Sequence, residues 1–292
     1  MASDEKALSA KLSQQTGVQT VSSFKHELQA WWKANSKRVE QTIGGAKKAV
    51  RLYSGLNTAI ERNPAILGCT RDSLFNCILQ SAVTGLVPGA YQECAYLPFR
   101  NGKTGKLEAV FCPMYHGLVR LLYESGYVQR IDSKVVYEND AFEYEEGLHV
   151  KLMFKPLLVT RDRGEPMGAY CLIINKFGEP LIKFSTREEI EEIRDRSPSA
   201  RAADSPWNAK ERVKWESMWM KTALKQNIKL IPKTKELLEA LDRDDEAEGL
   251  SPKRATVNFM EDKLHAVEAE VVENPQNGEG GVSFSDGEDE KN

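Results

Sequence analysis

Five lysines, Lys210, Lys214, Lys221, Lys225 and Lys229, fall 4, 7, 4 and 4 residues apart in the segment 206–231, with no acid on their stripe. At 3.6 residues per helical turn they share one face, next to a stripe formed by Val213, Met220, Leu224 and Ile231. Cations in a row can follow a chain of phosphates. Trp207, Trp215 and Trp219 lie in the same segment, and aromatics beside cations suit single-stranded nucleic acid, whose bases stack while its phosphates pair. The plainer alternative is a solvated basic face with tryptophans packed on neighbouring elements. A second cationic group, Arg100, Lys103 and Lys106, sits in RNGKTGK, which contains no acid. It suits a ligand of repeating negative charge, or simply a loop that keeps a hairpin soluble.

Other chemistry finds less support. Asp140, Glu143, Glu145 and Glu146 could be imagined as a metal or acid–base cluster, but acids alternating through a strand and turn read better as a solvated face. His116 stands beside Tyr115 with no serine or cysteine motif to serve as its nucleophile. Neither GxxxxGK[ST] nor GxGxxG occurs, so nothing points to ATP or a dinucleotide, and no cofactor is expected. The five cysteines form no CxxC pair and the four histidines are scattered, which argues against zinc and for reduced thiols in the core.

The elements that must position these residues can be read in outline. Helical patterning runs from about residue 21 to 62. A helix over 70–82, extending as far as Gly85, has Thr70 as its cap and Asp72 in its first turn. Gly85, Pro88 and Gly89 then mark a turn. Two apolar runs, 93–99 and 107–113, flank RNGKTGK and its Asn-Gly pair, the pattern of a β-hairpin. A helix over 115–125 turns Leu118, Leu121 and Leu122 inward, leaves Arg120 outside that cluster and stops at Gly126. Strands are expected at 128–137, 142–145, 149–154, 168–176 and 180–184. Ser185 and Glu188 resemble a capping box for a helix over 188–196. Ser205 and Pro206 open the long helix that carries the lysines, and Pro232 closes it.

Helices and strands in this order make the expected fold class α+β. Residues 1–20 are expected to be disordered, 21–241 to form the core, and 242–292 to form an acidic, mostly disordered tail with a short helix near 259–267. The tail holds 15 acids against 5 bases, a net of −10, which leaves +7 on the remainder of a chain whose total is −3. A basic body points to a polyanion. No apolar run is long enough to span a membrane, and the N-terminal residues lack the apolar stretch of a secretory signal, so the expected location is the cytoplasm.

NPAILGCTRDSLFNCILQSAVTGLVPG, then AYLPF, a basic loop, YHGLVRLLYESG and WESMWMKTALKQNIKLIP together resemble the RecT family of phage single-strand annealing proteins, in family order from about residue 63 to 232. The resemblance implies ATP-independent binding of single-stranded DNA and annealing of complementary strands in homologous recombination. It implies a ring or helical filament of identical subunits with DNA in a continuous basic groove, and a small antiparallel β-sheet core with packed helices, similar to the core of the ring-forming annealing proteins. It also implies a 5′–3′ exonuclease partner and no catalytic residue, since no bond is broken. A host single-strand-binding protein is a candidate partner for the acidic tail. Carried over by position, the match implicates Arg100, Lys103, Lys106, Tyr115, Gly117, Arg120, Trp215, Lys221, Thr222, Lys225 and Lys229. His116 departs from the pattern, since relatives can carry arginine there, and an ordinary histidine is mostly neutral at pH 7.

Overall fold

Glycine breaks the first helical segment in two. In this computed structural model, which describes residues 21–249 apart from 103, 159–161 and 202–204, helix α1 (Val21–Ile43) ends at Gly44 and α2 (Ala46–Arg62) begins after Gly45. Both glycines have positive φ, +81° and +130°, which an L side chain rarely tolerates, and both amides donate to the Glu40 carbonyl. The expected disorder of 1–20 and the helix near 259–267 lie outside the described residues.

Helix α3 (Arg71–Thr84) packs on α1, where Trp31 stacks on Phe75 with ring centroids 4.8 Å apart. Its cap differs in detail from expectation. The Thr70 hydroxyl donates to Ser73 Oγ instead of accepting a helix amide, and Ser73 Oγ also accepts the Ala109 amide of the hairpin. The helix ends at Gly85 in the left-handed conformation. The hairpin follows as β1 (Cys94–Arg100) and β2 (Leu107–Pro113), antiparallel with Arg100 opposite Leu107. Helix α4 (Tyr115–Glu124) leaves the hairpin directly and buries Leu118, Leu121 and Leu122, as its spacing requires.

The strands do not form one sheet. β3 (Val128–Tyr137), β6 (Pro166–Asn175) and β7 (Pro180–Thr186) make a three-stranded antiparallel sheet with β6 in the middle. β4 (Ala141–Glu145) and β5 (Lys151–Lys155) form a separate hairpin, tied to that sheet by rings: Phe142 lies 4.9 Å from Phe184 and 6.2 Å from Tyr170. The capping box of α5 (Arg187–Arg196) falls one residue later than expected. Thr186 accepts the Glu189 amide and Glu189 accepts the Thr186 amide, with Ser185 still buried in the sheet.

Helix α6 (Arg212–Asn227) crosses the three-stranded sheet. Its C-terminal end is pinned there by Asn227, whose Nδ2 donates to the Cys171 and Leu181 carbonyls at 2.8 and 2.9 Å. Helix α7 (Lys235–Ala247), capped by Thr234, packs on β2, α3 and α4. The boundary expected at 241/242 therefore falls inside a packed helix: Leu237, Ala240 and Asp244 are all buried. The architecture is α+β, and no described helix is long and apolar enough to cross a membrane.

Candidate nucleic-acid interface

The lysine segment is interrupted. Ser205 caps a single 3-10 turn, Pro206–Asn208, by accepting the Trp207 amide at 3.2 Å. Asn208 Nδ2 then bonds the Ala200 carbonyl at 2.6 Å, and residues 209–211 run non-helically before α6 begins. Trp207 and Lys210 thus lie off the helix, and the expected continuous helix over 206–231 is corrected to a turn, a break, α6 and a closing turn, Ile228–Leu230. The apolar stripe is corrected with it. Leu224 and Ile231 are buried and Met220 is half-buried, but Val213, in the first turn, is 73% exposed.

Two of the five lysines do not face solvent. Lys221 pairs with Asp244 and is itself buried, and Lys225 Nζ lies 2.6 Å from both Asp244 and Asp245. Burial by itself would favour the neutral forms, raising the pKa of Asp244 and lowering that of Lys225. Charge pairing outweighs it. Asp244 is held below the ordinary carboxylate range by Lys221 and Lys225, and Lys225 is pushed above the ordinary lysine range by Asp244 and Asp245. Lys221 and Lys225 are thus neutralised by Asp244 and Asp245 of α7, about twenty residues downstream in the stretch expected to be tail. Thr222 donates to the Met218 carbonyl within α6. The other lysines remain outside: Lys210 and Lys229 are exposed, and exposed Lys214 pairs with Glu211 at 3.0 Å.

The tryptophans serve packing. Trp207 and Trp219 are each 7% exposed, and half-buried Trp215 sets its edge against Trp219 at 5.5 Å and Tyr137 at 6.3 Å. A base could not reach the face of Trp207 or Trp219 in this arrangement.

The hairpin tip is open. Arg100 and Lys106 are exposed, and among the described residues neither has a carboxylate within 4.0 Å; Lys103 lies outside the described residues. The tip is nevertheless ordered by its own bonds. Asn101 N donates to the Lys106 carbonyl at 2.9 Å, Asn101 Nδ2 to Glu108 at 2.7 Å, and an Arg100 guanidinium N–H to the Gly105 carbonyl at 2.9 Å. Both cations are therefore presented from a fixed frame.

At the far end of the hairpin, Glu93 organises what the sequence left as loose parts. Its side chain is 7% exposed and accepts from Arg51 at 2.7 Å and from the Val87 amide at 2.8 Å, with Arg120 Nε at 3.1 Å. Arg120 also reaches Glu124 at 2.6 Å and the Gly85 carbonyl at 2.7 Å. It is a clamp between α4 and the 85–93 turn. Gly117 has no alternative here, because a Cβ would lie 2.0 Å from the Glu93 carbonyl oxygen. Next to it His116 is exposed, edge-on to Tyr115 at 5.5 Å. Burial pushes the half-buried Tyr115 phenol up to about 12.

The imagined acidic cluster separates into local pairs. Asp140 accepts from the Tyr137 and Leu157 amides at 3.0 and 2.9 Å and from Arg163, while Glu143 pairs with Lys151 at 3.1 Å and Glu146 with Tyr144. Among the described residues no group of three or more His, Cys, Asp or Glu side chains is placed to hold a metal ion.

A family model, described as the RecT family, matches residues 51–257 of the chain. The chain belongs to the RecT family. Protein RecT of Escherichia coli strain K12 is 31% identical over 201 residues, which cover 68% of this chain and 71% of that protein. RecT membership makes this a single-stranded DNA-binding protein of strand annealing and DNA recombination. The RecT match also bears on the core. It opens at Arg51, the partner of Glu93, and runs past α7, so both buried charge networks fall inside the family region.

Proposed function

We propose that the chain anneals complementary DNA strands without ATP, gripping one strand by its phosphates in a basic groove that runs through a homo-oligomer, a ring or a helical filament. One observation carries this reading. Arg100, Lys106, Lys210 and Lys229 are exposed without a carboxylate within 4.0 Å among the described residues, whereas Lys221, Lys225, Arg120 and Arg163 are all neutralised. Cations left unpaired while their neighbours are matched are available for phosphate. Phosphate contacts release counterions and give affinity that ignores sequence. Base edges then stay free to find a complement. Lys103, Lys214, Tyr115 and His116 complete the proposed surface, while Trp207, Trp215, Lys221, Lys225 and Arg120 hold it in shape from behind. A 5′–3′ exonuclease that exposes the strand, and a host single-strand-binding protein met through residues 250–292, are the proposed partners.

The test mixes the protein with two complementary oligonucleotides in nucleotide-free buffer. Duplex formation well above the spontaneous rate is expected. No acceleration at any salt concentration overturns the reading.

A further inference from the structure

We propose that the β6–β7 turn is a base-stacking site for single-stranded DNA, with Phe177 taking the face of a nucleobase and Lys176 the phosphate beside it; this rests on the DNA-binding reading above. Phe177 is 77% exposed, more than any other described phenylalanine, tyrosine or tryptophan. Hydrophobic burial cannot explain a phenylalanine at the tip of a polar turn.

The backbone of the turn that carries the ring is fixed by its own bonds. The Asn175 side-chain oxygen accepts from the Phe177 and Glu179 amides at 2.9 and 3.0 Å, and the Asn175 carbonyl accepts from Gly178 N at 3.0 Å. Lys176 is fixed from the other side, where its amide donates to the Tyr127 carbonyl at 2.8 Å and its own carbonyl accepts from Gln129 at 3.1 Å. The Lys176 ammonium sits over two rings, 4.1 Å from the Tyr127 centroid and 5.1 Å from that of Phe177. One face of Phe177 is thus addressed by a cation while most of the ring stays open. Arg130, exposed on β3 at the same end of the sheet, adds a second cation; neither it nor Lys176 has a carboxylate within 4.0 Å among the described residues. The acid of the turn, Glu179, accepts from Asn175 Nδ2 at 3.2 Å.

An exposed ring flanked by free cations fits a strand that carries both π-faces and phosphates. It also fits annealing. A base stacked by its face keeps its pairing edge open, which a hydrogen-bonded base does not.

Binding of a dye-labelled oligonucleotide is compared with that of a strand of equal length that is abasic throughout, using the full chain. Phe177→Ala is expected to weaken binding of the normal strand about five- to a hundredfold and to leave the abasic strand unchanged. Phe177→Trp should restore the wild-type preference for bases. Lys176→Ala should flatten the salt dependence by about 0.7 in the log–log slope, the share of one phosphate on a single strand. The inference is overturned if Phe177→Ala binds both strands like wild type or weakens both equally. It is also overturned if the preference survives while light scattering without DNA shows a changed assembly, because the occupant is then a second copy of the chain. Failure of the wild type to bind any single strand would instead remove the DNA-binding reading itself.

Discussion

Asp244 is the residue on which the lysine helix depends. One buried carboxylate serves two ammonium groups, so its removal strands Lys221 in a poorly hydrated site and leaves Lys225 with the more exposed Asp245 alone. Breaking such a pair from one side costs about 3–5 kcal/mol. Asp244→Asn should lose about that much stability in denaturant unfolding at neutral pH. The pH dependence has a definite sign. Because the folded pKa of Asp244 lies below its unfolded value, near 3.9, its contribution is full above about pH 4 and is lost as pH falls through the folded value. Lys225 shifts upward, so its contribution is full below its unfolded value, near 10.4, and is lost only as pH rises through the higher folded value. Asp244→Asn should therefore flatten the acid limb of the stability profile, measured as unfolding midpoint against pH. Gly117 offers a second test at this scale. Gly117→Ala forces a methyl onto the Glu93 backbone and should cost toward the upper end of the about 1–3 kcal/mol seen for overpacking, read as a lower midpoint at an unchanged slope.

Among the elements, α7 separates two otherwise similar truncations. A chain ending after Gly249 keeps Asp244 and Asp245, while one ending after Leu241 loses both and bares Lys221 and Lys225. The shorter chain should melt about 6–20 °C lower, taking the ion-pair loss at about 2–4 °C per kcal/mol for a chain of this size. Calorimetry of the two chains checks it. The same helix shows what was legible beforehand. The hairpin, α3, α4, α5 and β3 stand within a residue or two of their expected bounds, because Gly85, Gly126, the Asn-Gly pair and the apolar spacing are local signals. The break at 209–211 was not legible, since Pro206 and Ser205 open a turn as readily as a helix. Nor were the partners of Lys221 and Arg120. Asp244 lies 23 residues after the one and Glu93 27 residues before the other, and composition placed Asp244 in a tail. The exposure of Arg100 and Lys106 was legible because no carboxylate among the described residues lies within 4.0 Å of either.

For the whole molecule the redrawn boundary changes the charge ledger. Moving residues 242–249 into the core leaves it at +3 and residues 250–292 at −6. Binding should then rest on a few well-placed cations more than on bulk charge. Arg100→Ala with Lys106→Ala should reduce the salt slope by about 1.4, two phosphates at about 0.7 each, without changing the melting temperature. Lys221→Ala should do the reverse. Removing residues 250–292 should leave binding intact or tighter, checked by the same titrations; weaker binding would mean that the acids do not compete with DNA. The buried charges also constrain how such a chain can drift over generations. Any single change at 221, 225 or 244 passes through a form with an uncompensated charge, so these positions can be expected to move in concert, as in Lys221→Met arriving with Asp244→Asn while Lys225 keeps Asp245. Ancestry, on this view, is written into the network as linked pairs of substitutions.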